Sequence, residues 1–349
     1  MREAEERYRV YLRRKLAFGL LLLISLAFVS SWALCVGDIH LSVAQVLKAL
    51  FGRGDPRSDL VIWNIRLPRV IAALLVGTAL SISGCVMQCI LRNPLASPFT
   101  MGISHGAMFG AALAIITLDV GGAESSGRIF INNPYIVTLS AFLGALIGVF
   151  VVLILAKLRD LTPEAMILAG VAIGSLFTAG TMLIQYFADE LQLAAMVYWT
   201  FGDLSRPVWR EIAIMAFLIP PSLFLFIGRS WDYNALESGE ETAKSLGVNT
   251  QRVRLIGMII SSLITSICVA FVGIIGFIGL ITPHICRLII GGDYRFLIPI
   301  SAVLGSLILL ISDTLARTLI SPIVLPVGVI TSFMGAPTFL YLLVKLQRR

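Results

Sequence analysis

Charged residues are scarce in this sequence, and it lacks the glycine–lysine pair of a nucleotide-binding loop. Only 13% of the 349 residues are Asp, Glu, Lys or Arg, whereas ordinary soluble domains contain about 25%. The mean hydropathy is +0.92. Without a Gly-Lys dipeptide there is no P-loop to hold the phosphates of ATP. The composition excludes an ordinary soluble domain, and the missing loop excludes P-loop ATP hydrolysis by this chain.

Metal-binding and catalytic patterns are also missing. The three histidines, His40, His105 and His284, show neither an HExxH motif nor paired metal spacing. No catalytic triad or carboxylate pair is recognisable. His105 and His284 could contact a substrate, although packing or helix-end roles are more common. Cys85 and Cys89 could form a soft-metal pair, although packing between helices is far more common for such residues. We therefore expect no catalytic residue, cofactor or metal in this chain.

The long apolar segments contain almost no ionisable side chains, which ion-coupled transporters usually need within the membrane. Asp313 and Arg317 lie four residues apart near a helix end, where a local ion pair is the simpler interpretation. A large membrane protein with neither an ATP site nor an ion-coupling site must take its energy from a partner. The alternatives are an ion-coupled secondary transporter, a membrane receptor without an ATPase partner, and an intramembrane enzyme.

Ten apolar segments are long enough to predict membrane-spanning helices. They are Leu16–Val36, Val70–Leu91, Phe99–Val120, Tyr135–Ala156, Ala165–Phe187, Ile212–Gly228, Leu255–Val272, Ile274–Ile290, Leu297–Ile311 and Val327–Val344. We therefore predict an all-α polytopic membrane protein, in which residues 1–349 form a single transmembrane domain.

Lysine and arginine set the predicted orientation, because they accumulate in cytoplasmic loops. With the N-terminus inside, about two thirds of the 27 basic residues fall on the cytoplasmic side. Ten spans then place both termini in the cytoplasm. The net charge of +7 is thus a topology signal in a multi-pass protein of the cytoplasmic membrane, and we expect lipid and not nucleic acid as its surroundings.

One cytoplasmic connection, Arg229–Arg254, is long enough to fold by itself. Asp232 or Asn234 could cap the start of a helix, and Gly247 could end it. Gly239 in the middle of that helix would cost about 1 kcal/mol relative to alanine, which suggests a close neighbour. The segment either docks another protein or is a solvated connector.

Motifs along nearly the whole chain resemble those of the FecCD-type permeases, the membrane subunits of ABC importers for iron–siderophores, haem and cobalamin. The motifs are IRLPRVIAALLVGTALSISGCVMQ (65–88), RNPLASPFTMGISHGAMFGA (92–111), LTPEAMILAG (161–170), WTFGDL (199–204), the connection 229–254, GFIGLITPHICRLIIGGDYR (276–295), SDTLAR (312–317) and LPVGVITSFMGAPTFLYLL (325–343).

The resemblance implies a type II ABC importer permease with ten spans. It implies a homodimer around a central path, two cytoplasmic ATPase subunits that bind ATP and Mg²⁺, and an extracytoplasmic substrate-binding protein. The chain itself would be no enzyme. The cargo would be a metal chelate: a ferric siderophore is our first expectation, followed by a corrinoid or haem.

The resemblance also implies roles for particular residues. Residues 232–247 would be the coupling helices that dock the ATPase, through Leu236, Gly239, Glu240, Glu241, Ala243, Leu246 and Gly247. Arg66, Arg69 and Arg317 would form an external basic surface for the binding protein. Thr162 and Pro163 would lie at the cytoplasmic gate of the path.

Overall fold

The computed structural model describes residues 2–37, 39–118, 121–123, 129–131 and 133–346. These residues contain fifteen α-helices and one small β-hairpin. The helices are α1 Arg2–Cys35, α2 Val43–Leu50, α3 Pro56–Leu60, α4 Leu67–Ile90, α5 Ile103–Leu118, α6 Pro134–Lys157, α7 Pro163–Phe187, α8 Glu190–Thr200, α9 Trp209–Gly228, α10 Ser230–Glu237, α11 Glu240–Ser245, α12 Thr250–Val272, α13 Ile278–Ile290, α14 Tyr294–Thr318 and α15 Val327–Leu346. A π-helical turn, Val61–Arg66, joins α3 to α4, and a 3-10 turn, Pro98–Met101, precedes α5. The antiparallel strands are β1 Gly121–Ala123 and β2 Ile129–Ile131.

The ten predicted spans correspond to ten apolar helices. Seven are long and apolar enough to cross a membrane, and three shorter apolar helices, Ile103–Leu118, Ile278–Ile290 and Val327–Tyr341, complete the set. The predicted all-α polytopic fold is confirmed. The ends differ most at the second span, whose helical segment starts upstream and runs over Pro56–Ile90.

The eighth span is shorter than its apolar run predicts. Gly273 (φ +80°) and Phe277 (φ +68°) adopt left-handed backbone conformations, so α13 begins only at Ile278. Its 13 residues extend about 20 Å, less than the roughly 30 Å of bilayer hydrocarbon. The irregular segment before it is covered by protein, since Ile274 pairs with Phe201. Irregular backbone at membrane depth is stable where protein covers it.

Helix α4 forms the centre of the bundle, and small residues let its neighbours approach. A Cβ added to Gly77 would lie 2.6 Å from the carbonyl oxygen of Gly305 on α14. A Cβ added to Gly84 would overlap the carbonyl of Gly279 on α13. Within the most apolar stretch of the second span, 78% of residues are buried, against 22% in α7. Close packing through small residues, as expected between membrane helices, therefore fixes α4 and leaves α7 at the periphery.

Candidate functional site

The cytoplasmic connector consists of two short helices, α10 and α11, and not of one. Helix α10 begins at Ser230, so the predicted caps Asp232 and Asn234 lie inside it. Gly239 is not in the middle of a helix either: it precedes α11 with φ +128°. A Cβ there would meet nothing closer than 3.5 Å. Its backbone conformation, and not crowding within this chain, calls for glycine. Gly247 (φ +82°) ends α11 as predicted.

The inner face of the connector packs into the helical bundle. Tyr233, Leu236 and Ala243 are fully buried. The ring of Tyr233 lies between those of Phe226 on α9 and Tyr294 on α14, with centroid distances of 6.3 Å and 5.9 Å. These separations are in the range of favourable aromatic pairs. The connector is therefore part of the packed protein and not a solvated loop.

Polar side chains of α10 attach it to α13 and to the start of α14. Asn234 donates through Nδ2 to Oδ1 of Asp293 at 3.0 Å, and its own Oδ1 accepts from the backbone N–H of Tyr294 at 2.8 Å. Glu237 pairs with Arg287 at 2.9 Å. The hydroxyl of Tyr294 donates to Glu237 at 3.1 Å and accepts from Arg287 at 3.0 Å. A displacement of α10 must therefore break these bonds or carry both helices with it.

Helix α11 is attached to α12 through one carboxylate. Glu240 accepts from Arg254 at 2.8 Å and pairs with Lys244 at 3.0 Å. The hydrogen bond from Arg254 is the main cause that lowers the pKa of Glu240 from 4.5 to about 2, and the bond from Lys244 comes next. Arg254 is almost completely buried, whereas Lys244 is exposed. The bond to Arg254 is therefore the stronger constraint, because exposed pairs contribute at most about 1 kcal/mol.

The seven predicted coupling residues divide into three groups by exposure. Leu236 and Ala243 are buried, Gly239 and Glu240 are half-buried, and Glu241, Leu246 and Gly247 are exposed. Leu246, an apolar side chain, is 68% exposed. The exposed group can contact another protein directly, whereas the buried group holds the connector to the bundle.

The three predicted docking arginines lie at the opposite end of the molecule, where Arg66 and Arg69 are buried and Arg317 is mostly buried. Relative exposure is 5% for Arg66 and 7% for Arg69, and 10% for the side chain of Arg317. All three side chains line a small pocket at that end, and their contact with a binding protein stays a prediction. Sequence reasoning placed the arginines at helix ends correctly, but it identified a partner only for Arg317, namely Asp313.

Arg66 and Arg317 fasten the end of α1 to the rest of the bundle. Their guanidinium groups donate to backbone carbonyls in the last turn of α1 and just after it, which have no hydrogen-bond partner within the helix. The acceptors are Leu34 (2.7 Å), Cys35 (2.9 Å) and Ile39 for Arg66, and Ala33 and Val36 (both 3.2 Å) for Arg317.

Asp313 on α14 is the centre of the external cluster. Its carboxylate is fully buried and accepts two hydrogen bonds from Nε of Arg69, at 2.8 Å and 3.0 Å. Arg317, one turn along the same helix, pairs with it at 3.3 Å. Arg69 also approaches Asp203 at 3.8 Å. The predicted local pair of Asp313 and Arg317 is confirmed, and Arg69 is the partner that sequence reasoning missed, since it is distant in the chain.

The predicted gate residues begin α7. Thr162 caps this helix by accepting from the backbone N–H of Ala165 at 3.4 Å, and Pro163 occupies its first turn. Thr162 is half-buried and Pro163 is buried. Asp160 and Leu161 before them both have φ +54°. The geometry gives Thr162 a capping role, and of the two predicted gate residues only Thr162 has appreciable solvent-accessible surface.

The suggested soft-metal pair belongs to the packed core. Cys85 and Cys89 are fully buried, and Sγ of Cys89 lies 3.5 Å from the backbone oxygen of Tyr233. In the described ranges, no three His, Cys, Asp or Glu side chains lie close enough to hold a metal ion. Cys89 thus packs between α4 and α10.

Comparisons with known proteins agree with this architecture. A model of the FecCD transport family matches residues 21–345. A protein assigned as an ABC transporter permease, MJ0087 of Methanocaldococcus jannaschii, is 69% identical over 344 residues, which is 99% of each chain. The hemin transport system permease protein HmuU of Yersinia pestis is 36% identical over 342 residues, or 97% of each chain.

Structural comparison gives the same result. A transporter assigned to the metal-chelate ABC type, solved in an inward-facing conformation, superposes with a TM-score of 0.82. It is 30% identical and covers 94% of this chain and 98% of that one. Permeases of this kind work with ATPase and binding-protein partners. This multi-pass membrane protein therefore belongs to the FecCD transport family of metal-chelate ABC importer permeases.

Proposed function

We propose that this chain is the permease subunit of an ATP-driven importer that carries a metal chelate across the cytoplasmic membrane. A separate ATPase subunit binds ATP and Mg²⁺, and an extracytoplasmic binding protein delivers the cargo. One observation carries the energy-coupling part of the proposal. The connector of α10 and α11 is bonded to α12, α13 and α14 on one face and exposes Glu241, Leu246 and Gly247 on the other.

The proposed coupling is a rigid-body movement. An ATPase that contacts Glu241 and Leu246 would displace α10 and α11 when it closes on nucleotide. Because Asn234 and Glu240 attach these helices to the bundle, the displacement would reach the spans without unfolding. Packed helices move between discrete arrangements and do not deform continuously. Gly239 (φ +128°) sets the angle between the two helices, which is why we assign it to coupling.

We propose a homodimer with α7 beside the translocation path. The exposed face of α7 carries small residues, Ala172, Ser175 and Ala179, among its apolar ones. Small residues let a second helix approach closely or leave space for a substrate. Thr162 at the cytoplasmic end of the same helix is then placed to act at the gate, with Pro163 fixing the start of the helix.

The external arginines support the binding-protein surface indirectly in this proposal. Because Arg66, Arg69 and Arg317 are each only 5–10% exposed, they offer little surface for charge pairs with a partner protein. They hold the end of α1 and the loop at Asp203 in place. We therefore propose that these arginines shape the docking surface, and that exposed residues of the surrounding loops contact the binding protein.

The substrate class rests on the range of relatives. The permeases HmuU for hemin, YfmE for Fe(3+)-citrate, FhuG for iron(3+)-hydroxamate and BtuC for vitamin B12 are 36%, 35%, 33% and 37% identical to this chain. Such similar values do not distinguish among chelates, and a shared fold does not either. We propose a ferric siderophore as the first candidate, followed by a corrinoid and haem.

Uptake into proteoliposomes tests the proposal. The chain is reconstituted with a co-expressed ABC ATPase and a binding protein, and entry of a ferric hydroxamate is followed. We expect uptake to require ATP and to stop with vanadate, because the driving force is nucleotide hydrolysis. Uptake by the chain alone that a protonophore abolishes would favour the ion-coupled alternative instead.

Recovery of the ATPase tests the connector separately. Leu246→Asp places a charge in the proposed contact, and the loss of a central interface residue costs about 2 kcal/mol or more. We expect it to reduce co-purification of the ATPase. Leu158→Asp is the matched control, because Leu158 is a 76% exposed leucine just beyond α6 and outside the connector. Equal recovery with both variants would contradict docking at α11.

A further inference from the structure

A groove of about 610 Å³ opens between the predicted cytoplasmic ends of α6 and α12. Its inner wall is apolar, with Phe150 and Ile154 from α6 and Leu255 and Ile259 from α12. These four side chains are between 36% and 64% exposed. The described part of the chain therefore covers them only in part. This surface is wide enough for the upper part of a lipid acyl chain.

Two cations stand at the mouth of the groove. Lys157 ends α6, and Arg252 lies in the first turn of α12. Both side chains are exposed, and neither has a carboxylate within 4 Å in the described residues. One acid, Asp160, also lines the mouth and accepts a long hydrogen bond of 3.5 Å from Gln251. Cations exceed acids here, so the mouth favours an anion.

The apolar wall and the basic mouth of the groove together suit one kind of molecule. An apolar wall continuous with the membrane, topped by unpaired basic side chains at its cytoplasmic surface, matches a lipid with an anionic headgroup. A soluble phosphate compound would use the cations but leave the apolar wall empty. We propose that this groove binds one anionic phospholipid of the cytoplasmic leaflet, with its phosphate between Lys157 and Arg252 and an acyl chain along Phe150 and Ile259. This proposal requires only the membrane location of the chain, and not the identity of the cargo.

Native mass spectrometry of the full chain in detergent tests the site, with dioleoylphosphatidylglycerol as the probe and dioleoylphosphatidylcholine as the neutral comparison. We expect one molecule of the anionic lipid to be retained in preference to the neutral one. Arg252→Gln and Lys157→Gln should each weaken its binding about fivefold, the effect expected of one cation at a membrane surface. Asp160→Asn should strengthen it, because it removes the opposing charge.

Arg159→Gln is the matched control, because Arg159 is an exposed cation of the same loop that does not line the groove. It should change binding by less than about twofold, since exposed charges outside the site are screened. Ile259→Trp should abolish retention with both cations intact, because the indole fills the groove. Should that variant fail to fold, as judged by its elution profile, the charge variants still decide.

Four results would overturn the proposal. Arg159→Gln acting as strongly as Arg252→Gln would show diffuse attraction to the surface. Equal retention of the two lipids would show that the cations do not select a headgroup. Competition by glycerophosphoglycerol at the same concentration would assign the site to a soluble phosphate compound. Displacement of the lipid by one equivalent of ATPase would assign the groove to that protein.

Discussion

Asn234 is the residue whose removal should separate ATP hydrolysis from transport. It is not one of the exposed connector residues, yet its amide joins α10 to the start of α14 with one donated and one accepted bond. Asn234→Ala deletes both bonds and leaves the connector surface unchanged. We expect the ATPase to remain bound and to hydrolyse ATP while less of its movement reaches the spans.

The contacts of Asn234 allow the size of the effect to be worked out. The lost bond to Asp293 contributes about 1 kcal/mol, and the backbone N–H that loses the other bond costs about 1–3 kcal/mol when left buried without a partner. Tyr294, whose N–H loses its acceptor, is fully buried. The loss is thus about 2–4 kcal/mol, roughly 30- to 700-fold in the equilibrium between attached and detached α10. The pair of Glu237 and Arg287 is 41% and 26% exposed, and contributes at most about 1 kcal/mol, so it cannot compensate.

The assay is the ratio of substrate transported to ATP hydrolysed in proteoliposomes. Single residues change the coupling between two sites by about 0.5–2 kcal/mol, which is less than the detachment energy of α10. We therefore expect Asn234→Ala to lower this ratio between about twofold and thirtyfold. Asn249→Ala is the matched control: Asn249 caps α12 through the N–H of Arg252 at 2.9 Å, and losing a cap costs about 1 kcal/mol without touching α10. An unchanged ratio in Asn234→Ala, with the ATPase still bound, would refute the reasoning.

Three further predictions concern separate parts of the molecule. Asp313→Ala should lower the free energy of unfolding by about 3–5 kcal/mol, since it leaves buried arginines unpaired; thermal unfolding in detergent with a midpoint equal to wild type would contradict this. The bonds to the Glu240 carboxylate lower its pKa to about 2, so they stabilise the attachment of α11 fully above pH 4.5, and this stabilisation is lost as pH falls toward about 2. Hydrogen exchange of α11 should become faster over that range, and Glu240→Gln should abolish this pH dependence. Thr162→Cys, in a chain with Cys35 replaced, should crosslink across the proposed dimer and block transport reversibly, and crosslinking without loss of transport would exclude Thr162 from the path.

The number and type of spans were predictable because lipid imposes strong constraints on sequence. Long apolar runs must become helices, since no water is present to satisfy the backbone. The ends were less predictable. The run Ile274–Ile290 is uniformly apolar, yet α13 starts at Ile278 because Gly273 and Phe277 adopt left-handed conformations. The tertiary pairing of Ile274 with Phe201 and the backbone bond from the N–H of Asp203 to the carbonyl of Val272 at 2.8 Å stabilise that break, and hydropathy does not report such contacts.

The candidate sites show the same division between local and distant contacts. Gly247 marks a helix end from sequence alone, because glycine after a helix is a local signal. Gly239 looked like an interior helix residue, because the sequence around it favours helix on both sides. The burial of the external arginines was the least predictable feature. Arginine near a span end reads as exposed, and the partnership of Arg69 with Asp313, 244 positions away, has no local signature.

Helix α14 takes part in both polar clusters, and this arrangement indicates how the two ends of the molecule are connected. At its cytoplasmic start, α14 is bonded to α10 through Asn234, and near its external end Asp313 binds Arg69 of α4. Between these points α4 and α14 approach backbone to backbone at Gly77, which leaves little freedom for sliding. We therefore expect α4 and α14 to move as one body when the connector is displaced. The helices that move to open a path must then be sparsely packed ones. Helix α7, with 22% of its apolar stretch buried, is such a helix, and crosslinking at Thr162 tests its movement.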